Sequence, residues 1–321
     1  MRYLRIVTLL IVGIALAPAA WGQPYPNRPV RIVVPFAAGS ATDIVARLLA
    51  EELKAAFNQS FIIDNKPGAS AIIGAEAVAK SPPDGYTLFV TTNTSHSANP
   101  FLFKKLPYDP IKDFAPVAGI MLIPVIVVVD PKLPINSMQD LVAYTKANPG
   151  KVSFGYGNSI GQVVGASFAK AAGITVTPIP YKSSPQAMTD VMGGQVSYGI
   201  TDMAAGQSLV KAGKLRAIGV SSVKRSALMP ELPAISETSG LAGFDVTAWV
   251  AMFAPAGTPK DIVDKLSAEV RKALAKPEIK ERITTFAAET MASNPEQLGE
   301  FVRAQLANWG KRIKDAGIEP E

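Results

Sequence analysis

Two short stretches combine hydroxyl, amide and glycine groups where a predicted strand passes into a predicted helix. The first is PFAAGSATD (35–43), in which Ser40 and Asp43 have the spacing of a capping box. The second is FGYGNSIGQ (154–162), with three glycines and the hydroxyl of Ser159. Because a helix start leaves free N–H groups and the positive end of its dipole, both stretches could bind an anion without a fixed cation.

The second stretch also matches a hydrolase motif. Gly157-Asn158-Ser159-Ile160-Gly161 fits the pattern G-x-S-x-G, in which the serine is the nucleophile. Such hydrolases place the catalytic histidine after the serine, whereas the one histidine of this chain, His96, precedes it. Without a base the hydroxyl is not activated. A secreted serine hydrolase using Ser159 is therefore kept only as an alternative.

Neither a cofactor nor a metal is expected. Gly155, Gly157 and Gly161 resemble a dinucleotide fingerprint, but the next predicted strand ends in Pro-Tyr-Lys (180–182) instead of the acidic residue that binds a ribose. One histidine without cysteine or a cluster of acids cannot build a metal site. We therefore expect His96 to be a loop residue that makes a hydrogen bond.

The first 22 residues have the features of a secretory signal peptide. Arg2 and Arg5 precede an apolar run (9–17), and the small residues of 20–22 suit cleavage before Gln23. The chain has no cysteine, which excludes disulfides, thiol catalysis and a lipid-modified cysteine. We therefore expect the mature chain to be exported to the periplasm as a soluble protein without stable membrane insertion.

The charge of the chain gives little support for a nucleic-acid partner. The sequence has 32 basic and 26 acidic residues, and removal of Arg2 and Arg5 leaves a net charge of about +4. The basic residues are mixed with acidic ones, as in KPEIKER (276–282), and no stripe of basic and aromatic residues is present. A mild attraction for acidic solutes is all that this charge supports.

Strand and helix patterns alternate along most of the chain, which indicates parallel sheets with helices on both faces. The segment TNTSHSANP (92–100) is predicted to be a polar loop. Three helices in succession, from Thr258, Pro277 and Pro295, end the chain and must pack on a sheet that is already built. The predicted strands are 30–34, 61–65, 86–92, 122–129, 152–157, 176–181, 196–201, 215–222 and 244–257.

Six segments, in this order, resemble one family. They resemble the Bug-type, TctC-like receptors that serve tripartite tricarboxylate transporters, and the likeness runs from about Tyr25 to the C-terminus. The segments are PNRPVRIVVPFAAGSATDIVARLLAEEL (26–53), NKPGASAIIGAEAVAKSPPDGYTLFVTTN (65–93), LPYDPIKDFAPVAGI (106–120), IPYKSSPQAMTDVMGGQV (179–196), GKLRAIGVSS (213–222) and FAPAGTP (253–259).

The resemblance implies an α/β fold of the two-lobed periplasmic binding protein type (type II, Venus-flytrap). Each lobe would be a mainly parallel sheet flanked by helices, and the C-terminal helices would pack on lobe 1. After the signal peptide (1–22), lobe 1 would comprise 23–120 and 248–321, and lobe 2 would comprise 121–247. The chain would cross between the lobes near 119–125 and 244–249.

The resemblance also implies that a ligand carboxylate is held between one turn from each lobe. Two positions depart from the family pattern, since Ser40 and Ser183 stand where glycine is usual. The site residues carried over are Phe36, Ala38, Gly39, Ser40, Thr92, Asn93, His96 and Asn99 in lobe 1, and Tyr156, Gly157, Asn158, Ser159, Tyr181, Lys182, Ser184 and Asp202 in lobe 2.

The expected function is therefore capture of a small organic carboxylate and its delivery to the integral membrane permease of a tripartite tricarboxylate-type transporter. The ligand could be a di- or tricarboxylate or an aromatic carboxylate. We expect no catalysis and no cofactor, and we expect the receptor to be a monomer. Besides the serine hydrolase, a receptor that serves a signalling partner is an alternative.

Overall fold

A computed structural model describes residues 25–181, 183–222, 224–226, 229–285, 288–315 and 317–320. The predicted signal peptide (1–22) lies outside these ranges. The strands are β1 (Val30–Val34), β2 (Phe61–Asn65), β3 (Thr87–Thr92), β4 (Phe114–Ile123), β5 (Val125–Val129), β6 (Ser153–Tyr156), β7 (Thr177–Pro180), β8 (Tyr198–Asp202), β9 (Arg216–Val220), β10 (Ala248–Pro255) and β11 (Glu289–Thr290).

Helices flank these strands, in the alternating order that the sequence predicts for most of the chain. Within the described ranges, none of them is both long and apolar enough to cross a bilayer. They are α1 (Ala41–Phe57), α2 (Ile72–Ala79), α3 (Asn99–Leu102), α4 (Met138–Ala147), α5 (Ser159–Ala171), α6 (Ser184–Met192), α7 (Met203–Lys211), α8 (Lys260–Ala275), α9 (Pro277–Thr284) and α10 (Pro295–Asp315).

The strands form two separate sheets, which confirms the two-lobed α/β architecture. One sheet has the order β11-β4-β10-β3-β1-β2, and the other has the order β7-β6-β8-β5-β9. The sheets are mixed, however, and not mainly parallel as predicted. Strands β1 to β3 and β6 to β8 form the parallel pairs, whereas β10 and β5 run antiparallel to both of their neighbours.

The antiparallel pairs follow from the way the chain crosses between the sheets. β5 enters the second sheet with Val125 opposite Asp202, the last residue of β8. β10 returns to the first sheet with Val250 opposite Thr92, the last residue of β3. A strand that begins where its neighbour ends must run in the opposite direction. The ends of β3 and β8 therefore lie beside the segments in which the chain crosses between the two sheets.

The apolar run 122–129, predicted as one strand, is divided between the two sheets at Pro124. Proline lacks an N–H and cannot continue a strand ladder on its donor side. Ser221 connects the outward and return crossings, because its hydroxyl accepts from the Val125 amide and its carbonyl from the Val246 amide, at 3.0 Å each. The division of the strands between the two sheets supports the lobe boundaries predicted from the sequence, which stay a proposal.

The β1–α1 unit is closely packed on both of its elements. Apart from Arg31, β1 is completely buried, as a strand covered on both faces should be. Val45, Leu49 and Leu53 form the buried stripe of α1 and are fully enclosed. Each such side chain contributes about 1.5–3 kcal/mol to folding. The unit is therefore a rigid support for the turn between its two elements.

The three C-terminal helices return to the first sheet, as predicted. α8 packs on α1 and β4, and α10 packs on β4 and on the segment that follows β3. Trp309 of α10 is completely buried. α10 also contacts α5, which belongs to the second sheet. This helix therefore spans both halves of the protein.

Candidate functional site

The β1–α1 turn has the capping geometry that its sequence predicts. Ser40 is the N-cap of α1, and its hydroxyl accepts a hydrogen bond from the Asp43 amide at 3.2 Å. The Asp43 carboxylate reaches back one residue further than in a standard capping box and accepts from the Gly39 amide at 2.9 Å. Gly39 has a φ of +84°, which favours glycine. Asp43 is thus a cap and not an acid.

Asp43 is held in place by two further side chains. Arg47 Nε donates to its Oδ2 at 3.0 Å, and Asn65 Nδ2 donates to its Oδ1 at 2.9 Å. Burial alone would raise the pKa of Asp43, but the hydrogen bonds from Arg47, Gly39 and Asn65 outweigh it and lower the pKa below its usual range. The carboxylate therefore stays charged and fixes the conformation of the turn.

The segment after β3, predicted as a polar loop, is a buried helical turn. Thr94–Ala98 form a π-helical turn, and every residue from Thr91 to Asn99 is buried. π-helical turns are rare in proteins as a whole, and many of those that occur lie at functional sites. The prediction of a polar loop was wrong because α10, far away in the sequence, covers this segment and buries it.

His96 lies inside an aromatic cluster. Its ring stacks on Phe253, with ring centroids 4.1 Å apart, and its Nδ1 lies 2.9 Å from the Ser95 hydroxyl. Burial lowers the pKa of His96 to about 3, so the ring is neutral. The expected hydrogen bond is present, but the residue is in the core and not in a loop. In this conformation His96 is enclosed and is not available to a ligand.

The two asparagines of this segment support the backbone around it. Asn93 Oδ1 accepts from the Trp249 amide at 3.4 Å, and Asn99 Nδ2 donates to the Ser70 carbonyl at 2.8 Å. Thr92 Oγ1 accepts from the Thr94 amide at 3.2 Å. These predicted site residues therefore position the segment through bonds within lobe 1.

In the second sheet, the N-termini of α5 and α6 meet at Gly157. Asn158 caps α5, since its Oδ1 accepts from the Gly161 amide at 3.0 Å. A Cβ added to Gly157 would lie 2.0 Å from the Ser184 amide nitrogen and 2.1 Å from the Ser183 carbonyl carbon. Only glycine fits such a close approach of two backbones. Two positive helix ends thus converge on one point.

Three further predicted residues of lobe 2 are Tyr181, Asp202 and Lys182. The Tyr181 hydroxyl donates to Asp190 Oδ2 at 2.7 Å, and burial together with this bond raises the pKa of Tyr181 to about 12. Asp202 is the N-cap residue of α7, and burial raises the pKa of its carboxyl. Lys182 lies outside the described residues.

Ser159 forms a hydrogen bond to the first lobe and not to a base. Its Oγ lies 3.0 Å from the Thr94 Oγ1, across 65 residues of sequence. Thr94 and Ser159 have exposed fractions of 7% and 9%. The one histidine instead contacts Ser95 and the aromatic cluster. Within the part of the chain that the structure describes, the Ser159 hydroxyl therefore pairs with another hydroxyl and not with the histidine that a hydrolase needs.

A cavity of about 300 Å³ lies next to this bond. Five of the predicted residues line it: Tyr156, Gly157, Asn158, Ser159 and Tyr181. The described lining is uncharged except for Glu319. The remaining lining residues are Ser70, Leu102, Phe103, Gln162, Pro180 and Ile318. The cavity therefore offers hydroxyls, amides and helix starts, which suit a carboxylate.

The predicted first-lobe residues are not part of this lining. Phe36, Ala38, Gly39 and Ser40 lie at the β1–α1 turn, and whether Ser40 faces the same ligand as Ser159 stays a proposal. Thr94 and Ser70 are not among the site residues predicted from the sequence, although Thr94 lies in the predicted polar loop 92–100. Within the described ranges, no three His, Cys, Asp or Glu side chains are grouped as metal ligands.

Two α/β lobes joined by paired crossings, with a polar cavity between helix starts, define a two-lobed solute-binding protein. The sequence profile described as "Tripartite tricarboxylate transporter family receptor" (TctC) matches residues 45–318. The chain belongs to this family, whose members are solute receptors and not enzymes.

Solved structures agree with this assignment. The Rhodopseudomonas palustris protein Rpa4515 with adipate is 35% identical, with a TM-score of 0.86 over 92% of this chain and 100% of that chain. The periplasmic binding protein BugD is 36% identical, with a TM-score of 0.82 over 92% and 100%. MatC of Rhodopseudomonas palustris with bound malate is 31% identical, with a TM-score of 0.79 over 90% and 100%.

Proposed function

We propose that this protein is a periplasmic receptor that binds a small dicarboxylate between its lobes and delivers it to a tripartite tricarboxylate-type membrane transporter. The observation that carries the proposal is the convergence of the α5 and α6 N-termini at Gly157, beside a cavity that reaches both lobes. Helix starts bind carboxylates through N–H groups and the helix dipole. Similar proteins hold adipate and malate.

Capture requires groups from both lobes. Lobe 2 supplies the α5 and α6 starts with Asn158 and Ser159, and lobe 1 supplies the capped turn at Ser40 and the segment that carries Thr94. A ligand that touches both lobes favours the closed state by its difference in affinity for the closed and open states. Neutral donors bind a carboxylate without a buried ion pair, so release to a transporter needs no separation of opposite charges.

The ligand class can be tested by thermal unfolding with a panel of acids. Adipate, malate, citrate and benzoate are compared with adipamide, the uncharged diamide of adipate. At a hundredfold excess over Kd, a bound ligand adds about 2.7 kcal/mol and raises Tm by about 4 °C for a protein of this size. We expect a dicarboxylate to do so and adipamide to have no effect. A panel in which no carboxylate raises Tm would contradict the proposal.

Delivery to a transporter and location in the periplasm need their own experiment. The full chain is expressed with a C-terminal tag, and its cleavage before Gln23 and release by osmotic shock are measured. Uptake of the best ligand of the panel is then compared in cells with and without the receptor gene. We expect a processed, monomeric protein in the periplasmic fraction and uptake that requires it.

A further inference from the structure

A hydroxyl pair joins the two lobes beside the cavity. Thr94 lies on the π-helical turn that follows β3 in the first sheet, and Ser159 begins α5 in the second sheet. Their hydroxyl oxygens are 3.0 Å apart, and both side chains are buried. We propose that Thr94 is a positioning residue that holds the lobes together before a ligand is bound. The inference rests on the proposed function only in that closure of the lobes captures the ligand.

The first lobe fixes the position of the Thr94 hydroxyl. The Thr94 amide donates to Thr92 Oγ1 at 3.2 Å. The neighbouring Ser95 hydroxyl lies 2.7 Å from Thr91 Oγ1 and donates to the Thr92 carbonyl at 3.3 Å. The turn is therefore bound to the end of β3 on both sides of Thr94. The turn that carries this hydroxyl is therefore already ordered when lobe 1 folds, and closure of the lobes requires no further loss of conformational entropy there.

The second lobe fixes Ser159 in a similar way. Ser159 directly follows the N-cap Asn158, whose side chain accepts from the Gly161 amide at 3.0 Å. The turn before it is packed against the start of α6 at Gly157. The α5 helix also contacts the π-helical turn that carries Thr94. Two preorganised hydroxyls therefore meet when the lobes close.

Loss of one hydroxyl of this pair should destabilise the closed state but not the open state. If Thr94 loses its hydroxyl, Ser159 is buried without its partner in the closed state but reaches water in the open state. An unsatisfied buried hydroxyl is costly, whereas removal of both partners is nearly neutral. A single substitution should therefore shift the protein towards the open state, and the double substitution should not shift it further.

Spin-label distances in the ligand-free protein test this inference. Because the chain has no cysteine, Lys54→Cys on α1 and Lys211→Cys on α7 can be labelled specifically. We expect Thr94→Val and Ser159→Ala each to lower the closed-to-open ratio by about tenfold. Thr94→Ser keeps the hydroxyl and should retain the native distance. The double variant Thr94→Val, Ser159→Ala should be no more open than either single variant, as a coupled pair requires.

The matched control is Thr145→Val. Thr145 is buried, and its hydroxyl donates to the Leu141 carbonyl at 2.7 Å within α4, so its loss should lower Tm without changing the distance between the labels. Native distances for Thr94→Val, or an equal opening by Thr145→Val, would overturn the inference. Because no ligand is present, this result is independent of the carboxylate panel, which tests the proposed function separately.

Discussion

Asn65 Nδ2 donates hydrogen bonds to Asp43 Oδ1 at 2.9 Å and to the Phe36 carbonyl at 3.0 Å. The end of β2 thereby holds both sides of the turn between β1 and α1. Arg47 completes the arrangement, since its Nη2 donates to Asn65 Oδ1 at 3.1 Å. A side chain outside the turn thus fixes the turn's conformation.

Replacement of Asn65 by alanine should affect both stability and binding. It removes hydrogen bonds to Asp43, Phe36 and Arg47, so we expect the free energy of unfolding to fall by about 1–3 kcal/mol. We also expect weaker binding of the carboxylate that most strongly raises Tm, because the turn is no longer preorganised. Urea denaturation and isothermal titration calorimetry measure the two effects.

The control for this prediction is Asn148→Ala. Asn148 ends α4 and donates one hydrogen bond to the Tyr144 carbonyl at 2.9 Å, remote from the turn. It should lower stability without changing the Kd of the carboxylate. If Asn65→Ala leaves the Kd unchanged as well, the β1–α1 turn does not hold the ligand.

His96 predicts a specific loss of stability in acid. Burial lowers its pKa to about 3 in the folded protein, against about 6.5 in the unfolded chain. The unfolded state therefore binds the extra proton first, and stability is lost as the pH falls from about 6.5 towards 3. Between pH 7 and pH 5 this amounts to about 2 kcal/mol.

Two measurements check the behaviour of His96. Because it is the one histidine of the chain, its ring proton resonances should not shift between pH 8 and pH 5. The variant His96→Gln should lack the part of the pH-dependent stability loss that His96 causes. A ring that titrates near pH 6.5 in the folded protein would show that His96 is exposed to solvent.

Gly157 should tolerate no side chain. The Cβ of Gly157→Ala would meet the backbone at Ser183 and Ser184, and no rotamer change can relieve that contact. We expect the free energy of unfolding to fall by about 3 kcal/mol. Gly193→Ala is the control, because its φ is −82° and its nearest contact is 3.5 Å away. It should change stability by no more than about 0.5 kcal/mol.

The local elements of this fold could be predicted because their signals are local. The cap at Ser40, for example, depends on residues within one turn of each other. Strand direction could not be read in this way. It depends on where the chain crosses between the sheets, and the crossing at Pro124 lies inside a continuous apolar run.

The site could be predicted only in part, for a similar reason. Five cavity residues of lobe 2 lie on two neighbouring strand–helix turns, and the family resemblance of those turns indicated them. The burial of His96 and the bond from Thr94 to Ser159 depend on packing between segments far apart in the sequence. The polar sequence of 92–100 predicts a loop, because it contains no information on the packing of the distant helix α10 over this segment.

Replacement of two helix caps of lobe 2 should distinguish an effect on stability from an effect on ligand binding. Asn158 caps α5 and Ser137 caps α4, and each accepts from an amide at 3.0 Å. Replacement of either by alanine should lower the free energy of unfolding by about 1 kcal/mol. Asn158 lines the cavity, so Asn158→Ala should also raise the Kd of the carboxylate, whereas Ser137→Ala should not. Equal effects of the two variants on the Kd, measured by calorimetry, would mean that the start of α5 does not contact the ligand.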